Sequence, residues 1–349
     1  MIDYSDMSYP DYSLLITDYD YSGSFVFKFL IMAVINRINP YSTSRLNDDT
    51  GFSTTGNING GRFINRDGTF NLRKVGWPIW RRYSIYHKLI TMPLWKFITS
   101  IFIFYIGINF LYSLIYLAIG SGEFTGMISQ AGWKMYKELY FFSTETFTTV
   151  GYGRVNPVGD GANVVAAIES MTGFLSFAVA TGLIYGRFSR PRAHLAFSDK
   201  AVIAPYRDKT ALMFRFVCYK EQHALTDVTV QVNLAMLLEE NGKANYKYYT
   251  LPLERHRIES LPMNWTVVHE INDESPLAGF SLEDMKAADV ELYVLVRGFN
   301  DVYSNTVQQR TSYTYNEIKI NHKFAHMYQE TENGTILELH KLSKFVEQD

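Results

Sequence analysis

Residues 98–120 read ITSIFIFYIGINFLYSLIYLAIG, without one charged side chain. An α-helix needs about 20 mostly apolar residues to cross a bilayer, and a soluble helix seldom stays uncharged for so long. A second run, 162–186 (ANVVAAIESMTGFLSFAVATGLIYG), holds a single charge, Glu169, and many small residues, among them Ala166, Gly173, Ser176 and Gly182. Small residues let helices approach closely in lipid, and a carboxylate within a span faces a cavity or a partner rather than lipid. The two runs predict a two-span membrane protein. A mean hydropathy of −0.09 conceals them, because it averages an apolar middle with polar flanks.

The flanks orient the spans. Arg81, Arg82, Lys88 and Lys96 precede the first, and Arg187, Arg190 and Arg192 follow the second. The positive-inside rule then predicts a multi-pass protein of the plasma (inner) membrane with both termini cytoplasmic. The connection, 121–161, is outside or re-enters the membrane. Residues 25–35 are apolar but too short to span, and are read as a short docked helix or strand.

Composition excludes several functions. Lys+Arg is 33 and Asp+Glu 35, so no basic excess attracts nucleic acid. One cysteine excludes a disulfide framework and a Cys-rich zinc site; Cys218 reads as a small core residue. His87, His194, His223, His256 and His269 lack metal-ligand spacing. No nucleophile motif or phosphate loop points to an enzyme.

Within the connection lies Thr148-Thr149-Val150-Gly151-Tyr152-Gly153, preceded by a helix-compatible aromatic run from Trp133 to Phe147. Its position just before the second span matters. A potassium ion leaving water needs oxygens at matched distance, and rings of backbone carbonyls from four loops supply them. Gly151 and Gly153 permit backbone that a side chain would block. Thr149 can add its hydroxyl as an inner ligand, while Val150 and Tyr152 are expected to point away and pack behind the filter. The preceding helix aims its partially negative carbonyl end at the cavity and favours a cation there. Irregular backbone at membrane depth is tolerated where protein or water satisfies it.

The run FFSTETFTTVGYGRVNP resembles the pore of the inward-rectifier potassium channel family. Further stretches are similar to that family: GRFINRDG, SIYHKLITMPLWKF, GLIYGRFSRPRAHLAFSDKAVIAPYRDKTALMFRF, WTVVHEINDESPLAGFSLEDM and QQRTSYTYNEI. Together they cover roughly residues 62 to 328, and the RFSRPRA form looks closest to the prokaryotic members.

The resemblance implies a homotetramer with permeant potassium held by Thr149, Val150, Gly151 and Tyr152, and no organic cofactor. It implies that Glu145 pairs with Arg154 to support the filter. Phe177 aligns with a position where strongly rectifying relatives carry an acidic residue, a role an uncharged ring cannot fill. Four copies of Tyr185 would form an aromatic gate at the helix bundle. Trp95, Lys96, Arg187, Arg190 and Arg192 would meet lipid headgroups, including anionic phosphoinositide, at about 1 kcal/mol per basic residue. Glu169 on the inner helix is either an electrostatic residue near filter or cavity or a polar contact with the pore helix.

The expected organisation is a loosely ordered N-terminal segment (1–60), then a cytoplasmic strand and interfacial slide helix (61–96, the helix over 84–96). A pore domain (97–186) follows, with two transmembrane helices and a re-entrant pore helix. After a basic linker (187–196) come alternating runs such as AVIAP, ALMFRFVCY and VELYVLVRGF, with turn signals at Asn241-Gly242 and Asn333-Gly334. These predict an all-β, immunoglobulin-like cytoplasmic sandwich over 197–349. Two other readings remain open: a non-conducting membrane receptor or structural protein on a channel scaffold, and another class of ligand-gated two-span potassium channel. The second would carry a nucleotide-binding domain, and no glycine-rich fingerprint follows residue 187.

Overall fold

A computed structural model describes residues 45–47, 62–221, 223–240, 243–332 and 334–347. The expectations for residues 25–35, for nearly all of 1–60, for the Asn241-Gly242 turn and for Asn333 lie outside the described residues. The chain forms two compact units: residues 74–190, and residues 191–349 together with the N-terminal part up to Arg73.

In the first unit, helix α1 (Ile85–Thr91) is capped by Ser84, whose hydroxyl accepts from the His87 backbone N–H at 3.2 Å. The helix expected over 84–96 is two helices. Pro93 forces Met92 into extended backbone (ψ 158°), so α1 stops there and a new helix, α2 (Leu94–Ile119), starts after the proline. Trp95 and Lys96 thus belong to the outer helix. A turn and a short bridge lead to α3 (Gly132–Phe147), followed by the segment 148–159 and then α4 (Asp160–Phe188). Both α2 and α4 are long and apolar enough to cross a membrane.

Glu123 sets where α4 begins. Its carboxylate accepts from the Ala162 N–H at 2.7 Å, and its backbone oxygen accepts from Val158 at 2.8 Å. A negative charge is favoured at a helix N-terminus. Gly159 and Gly161 leave room for it, since a Cβ at either would lie 2.5 and 2.9 Å from the carboxylate group.

The second unit is a two-sheet sandwich, as the alternating runs predicted. Its strands are β1 (Leu195–Phe197), β2 (Ala201–Tyr206), β3 (Lys209–Cys218), β4 (Leu225–Glu240), β5 (Lys243–Thr250), β6 (Arg257–Ser260), β7 (Trp265–Ile271), β8 (Glu291–Asn300), β9 (Asn305–Thr314) and β10 (Ile318–Ile320). One sheet runs β5-β4-β8-β9 with Arg45–Leu46 at its edge and β6 beside β4; the other runs β7-β3-β2-β10 with β1 beside β3. Only β10–β2 is parallel among these pairs.

Side chains alternate across a strand. Leu212, Phe214 and Phe216 of β3 therefore meet Val230, Val232 and Leu234 of β4 and Leu292, Val294 and Val296 of β8 in one buried core. The other face of β3 is covered too. Val217 packs with Met327 and Leu342, and Arg215 is buried beneath the C-terminal segment. Its guanidinium donates to Leu342 O (2.7 Å), Ala325 O (2.7 Å) and Lys341 O, and sits 4.5 Å from the Phe324 ring centroid. Burial lowers its pKa to about 10, so it stays charged at neutral pH. Cys218 is half-buried against the core, and burial pushes its thiol up to about 11.

Residues 62–71 form a small hairpin bridged at Ile64–Phe70. Arg62 donates to Ser312 Oγ at 2.9 Å and pairs with Glu317, which also meets Arg66 at 3.3 Å. Residues 62–68 (RFINRDG) are thereby fastened to the sandwich.

Candidate pore and ion-conducting segment

Helix α3 ends at Phe147, and its last turn hands over to an irregular strand. Glu145 O accepts from both Val150 N–H (3.0 Å) and Gly151 N–H (3.3 Å). The backbone is left-handed at alternate positions: φ is 61° at Thr149, 54° at Gly151 and 80° at Gly153. Alternation of handedness turns successive peptide groups toward the same side, unlike the alternating pattern of a β-strand. Glycine accepts such φ freely at two of the three positions. At the far end Asn156 Nδ2 donates to Gly153 O at 2.6 Å.

Val150 and Tyr152 do not pack behind this strand within the chain. They are 54% and 80% exposed. At the inner end an apolar cleft of about 910 Å³ borders Phe147, Thr148, Thr149, Phe174, Phe177 and Ala180.

Glu169 is a packing group rather than a cavity charge. It is fully buried, with Tyr116 Oη donating to Oε2 at 2.5 Å and Ser143 Oγ donating to Oε1. Tyr116 is itself clamped edge-on by Phe124 and Phe142, at 5.4 and 5.2 Å between centroids. The three helices thus share one hydrogen-bonded carboxylate, as expected where an unpaired buried polar group is costly. Gly173 marks the helix crossing: a Cβ there would lie 1.9 Å from Phe147 O.

The expected Glu145–Arg154 pair is absent in the chain. Arg154 instead pairs with Glu138, Nη1 to Oε2 at 2.9 Å. The cause is geometric. Glu145 is level with the start of 149–153, whereas Arg154 follows its end. Glu138 lies seven residues earlier on the same face of α3, about 10 Å up the axis at 1.5 Å per residue.

Two family models match the chain: "Ion channel" over residues 98–190 and "Inward rectifier potassium channel C-terminal domain" over 195–347. Among curated relatives, the inward rectifier potassium channel Kirbac3.1 of Paramagnetospirillum magnetotacticum is 32% identical over 260 residues, covering 74% of this chain and 86% of that one. The chain belongs to the inward rectifier potassium channel family. The ATP-sensitive inward rectifier potassium channel 12 of Gallus gallus is 30% identical over 210 residues, 56% of this chain and 47% of its own length. The human protein of that name gives 30% over 209 residues. The chain spans about half the length of these vertebrate relatives. Homologues in this family are ion channels and not enzymes.

For an inward-rectifier chain, the remaining expected residues fall as follows. Tyr185 and Phe177 are 73% and 74% exposed on α4. Lys96 lies over the Trp95 ring at 5.3 Å. Arg187 is partly engaged by the chain itself, donating to Ile90 O at 3.4 Å and lying over Phe97 at 5.5 Å. Arg190 is exposed in the same unit, whereas Arg192 belongs to the sandwich unit.

Proposed function

We propose that the chain assembles as a homotetramer in the plasma (inner) membrane, with both termini cytoplasmic. Potassium then passes through a filter built by residues 149–153 of four copies. The observation that carries this reading is the left-handed backbone at Thr149, Gly151 and Gly153 directly after a helix that ends at Phe147. One loop offers a quarter of a coordination shell, and rings of carbonyls need four. The exposed Val150, Tyr152, Phe174 and Phe177 are apolar surface that further copies would cover.

Permeation is passive and potassium is cargo. Carbonyls of Thr149, Val150, Gly151 and Tyr152 replace the hydration shell. The C-terminal end of α3 at Phe147, the partially negative end of the helix dipole, favours a cation below the filter. Tyr185 narrows the inner end, where four rings exclude water. Trp95, Lys96, Arg187 and Arg190, with Arg192 after them, meet anionic headgroups, phosphoinositide included, and bias the gate.

Substituting Gly153 tests the filter. Its φ of 80° suits glycine, so Gly153→Ala abolishes barium-sensitive rubidium uptake into proteoliposomes while the tetramer persists on size-exclusion with light scattering. Undiminished uptake by that tetramer would refute the assignment.

A further inference from the structure

The segment that follows the filter carries a positive charge where a cation must arrive or leave. Arg154 comes directly after Gly153, and its side chain is 48% exposed. An unpaired guanidinium there, repeated in each copy of a tetramer, would lower the local cation concentration. We propose that Glu138 is the positioning residue that holds Arg154 aside and neutralises it, so that cations reach the outer mouth. This rests on the permeation reading above.

Four observations converge on Glu138. Its carboxylate takes Arg154 Nη1 at 2.9 Å. It also accepts the backbone N–H of Ile128 at 3.0 Å and of Ser129 at 3.1 Å, so both oxygens are fixed from the loop side. The Glu138 side chain is 13% exposed, less open to solvent than its partner. The loop closes on the arginine from above: Gly126 O lies 3.4 Å from Arg154 Nη1, and a Cβ on Gly126 would sit 1.7 Å from Arg154 O.

This clasp sits on a rigid frame. Phe124–Thr125 pairs antiparallel with Asn156–Pro157, and Val155 between them is buried. Asn156 meanwhile holds Gly153 O. The residues that follow Arg154 are therefore pinned, and among the described residues its side chain pairs with Glu138. A side chain fixed by backbone donors is pre-organised, so little motion is needed to keep the arginine off the ion path.

The electrostatic account differs from a purely structural one in what it changes. A charge at the mouth acts on local cation concentration and is screened by salt, with a Debye length of about 30 Å at 0.01 M and about 8 Å at 0.15 M ionic strength. Glu138→Gln, which keeps the shape and can still accept one of the two loop N–H groups through its amide oxygen, removes the negative charge that neutralises the arginine. Rubidium uptake into proteoliposomes is measured against rubidium concentration, at low and high N-methylglucamine chloride. The expected result is a rise of about three- to tenfold in the half-saturating rubidium concentration at low salt, with maximal uptake retained. At high salt the rise shrinks to under about twofold. The double variant Glu138→Gln/Arg154→Gln returns to the wild-type curve.

A fall in maximal uptake that the double variant does not restore would overturn the proposal, as would an unchanged half-saturation. Hydrogen exchange separates failure of the clasp from failure of the permeation reading. The Ile128 and Ser129 amides should be protected in the wild-type tetramer whether or not it conducts, and fast exchange there would by itself refute the clasp.

Discussion

Gly173 and Gly182 lie on the same helix, and their surroundings differ. A Cβ at 173 collides with the backbone of Phe147, while one at 182 meets nothing within 4 Å in the chain. Gly173→Ala must push the end of α3, and with it the segment 149–153 proposed as the filter. Overpacking of this kind costs about 1–3 kcal/mol. We expect Gly173→Ala to lose most rubidium uptake and to lower the melting temperature in detergent, with Gly182→Ala within about twofold of wild type. Equal effects would contradict the crossing. At Glu169, substitution by Ala would strand the Tyr116 hydroxyl, at about 1–3 kcal/mol, while Ser143 Oγ keeps Asn109 O and Oδ1 as acceptors. The expected readout is a clear loss of thermal stability.

His269 makes a pH prediction. It is buried, with Nδ1 2.7 Å from Pro252 O and Nε2 2.8 Å from Ser275 Oγ. Burial pulls its pKa below the usual 6.5. The unfolded chain then binds a proton that the folded one refuses, so stability is full above the unfolded value and falls as pH drops below about 6.5. Thermal denaturation of wild type should show this slope between pH 7.5 and 5.5, and His269→Gln should flatten it.

At the scale of elements, the sequence displayed periodicity well and partners poorly. The two spans were legible because lipid demands length and apolarity from each helix alone. The strands were legible because a buried face recurs at every second residue, as in β3 and β8. The helix expected over 84–96 ran through Pro93, whose restriction of Met92 to extended backbone ends the helix at Thr91. Contacts between elements were hidden. Glu169 could be a cavity charge or a packing group until Tyr116 and Ser143, far away in sequence, were placed beside it. The partner of Arg154 depended on how far the filter rises along α3, which no local pattern states.

Arg215 gives the element-scale prediction. One guanidinium joins three carbonyls of the C-terminal segment, those of Ala325, Lys341 and Leu342. Arg215→Ala takes the guanidinium donor from Ala325 O and Leu342 O, leaves Lys341 O with the Lys344 N–H alone, and opens a hole under Phe324. The segment 322–347 should then become sensitive to limited proteolysis while the sandwich core stays resistant. Resistance of the segment would contradict its role as a fastener.

The whole molecule is organised around a contrast between its two units. The sandwich closes its core within one chain. The pore unit leaves large apolar side chains exposed around the strand 149–153, at Val150, Tyr152, Phe174, Phe177 and Tyr185. The first unit is complete as a monomer only in its helix contacts, which centre on Glu169 and Tyr116. In the proposed tetramer the strand 149–153 is a fragment of a ring. That division is why family membership follows from the chain, while conduction must be tested on the assembly.

The most direct test is uptake of rubidium against sodium by proteoliposomes of the full chain, with and without barium. The account predicts barium-sensitive rubidium uptake that sodium does not match. Equal uptake of the two ions, or rubidium uptake that barium leaves untouched, would contradict it.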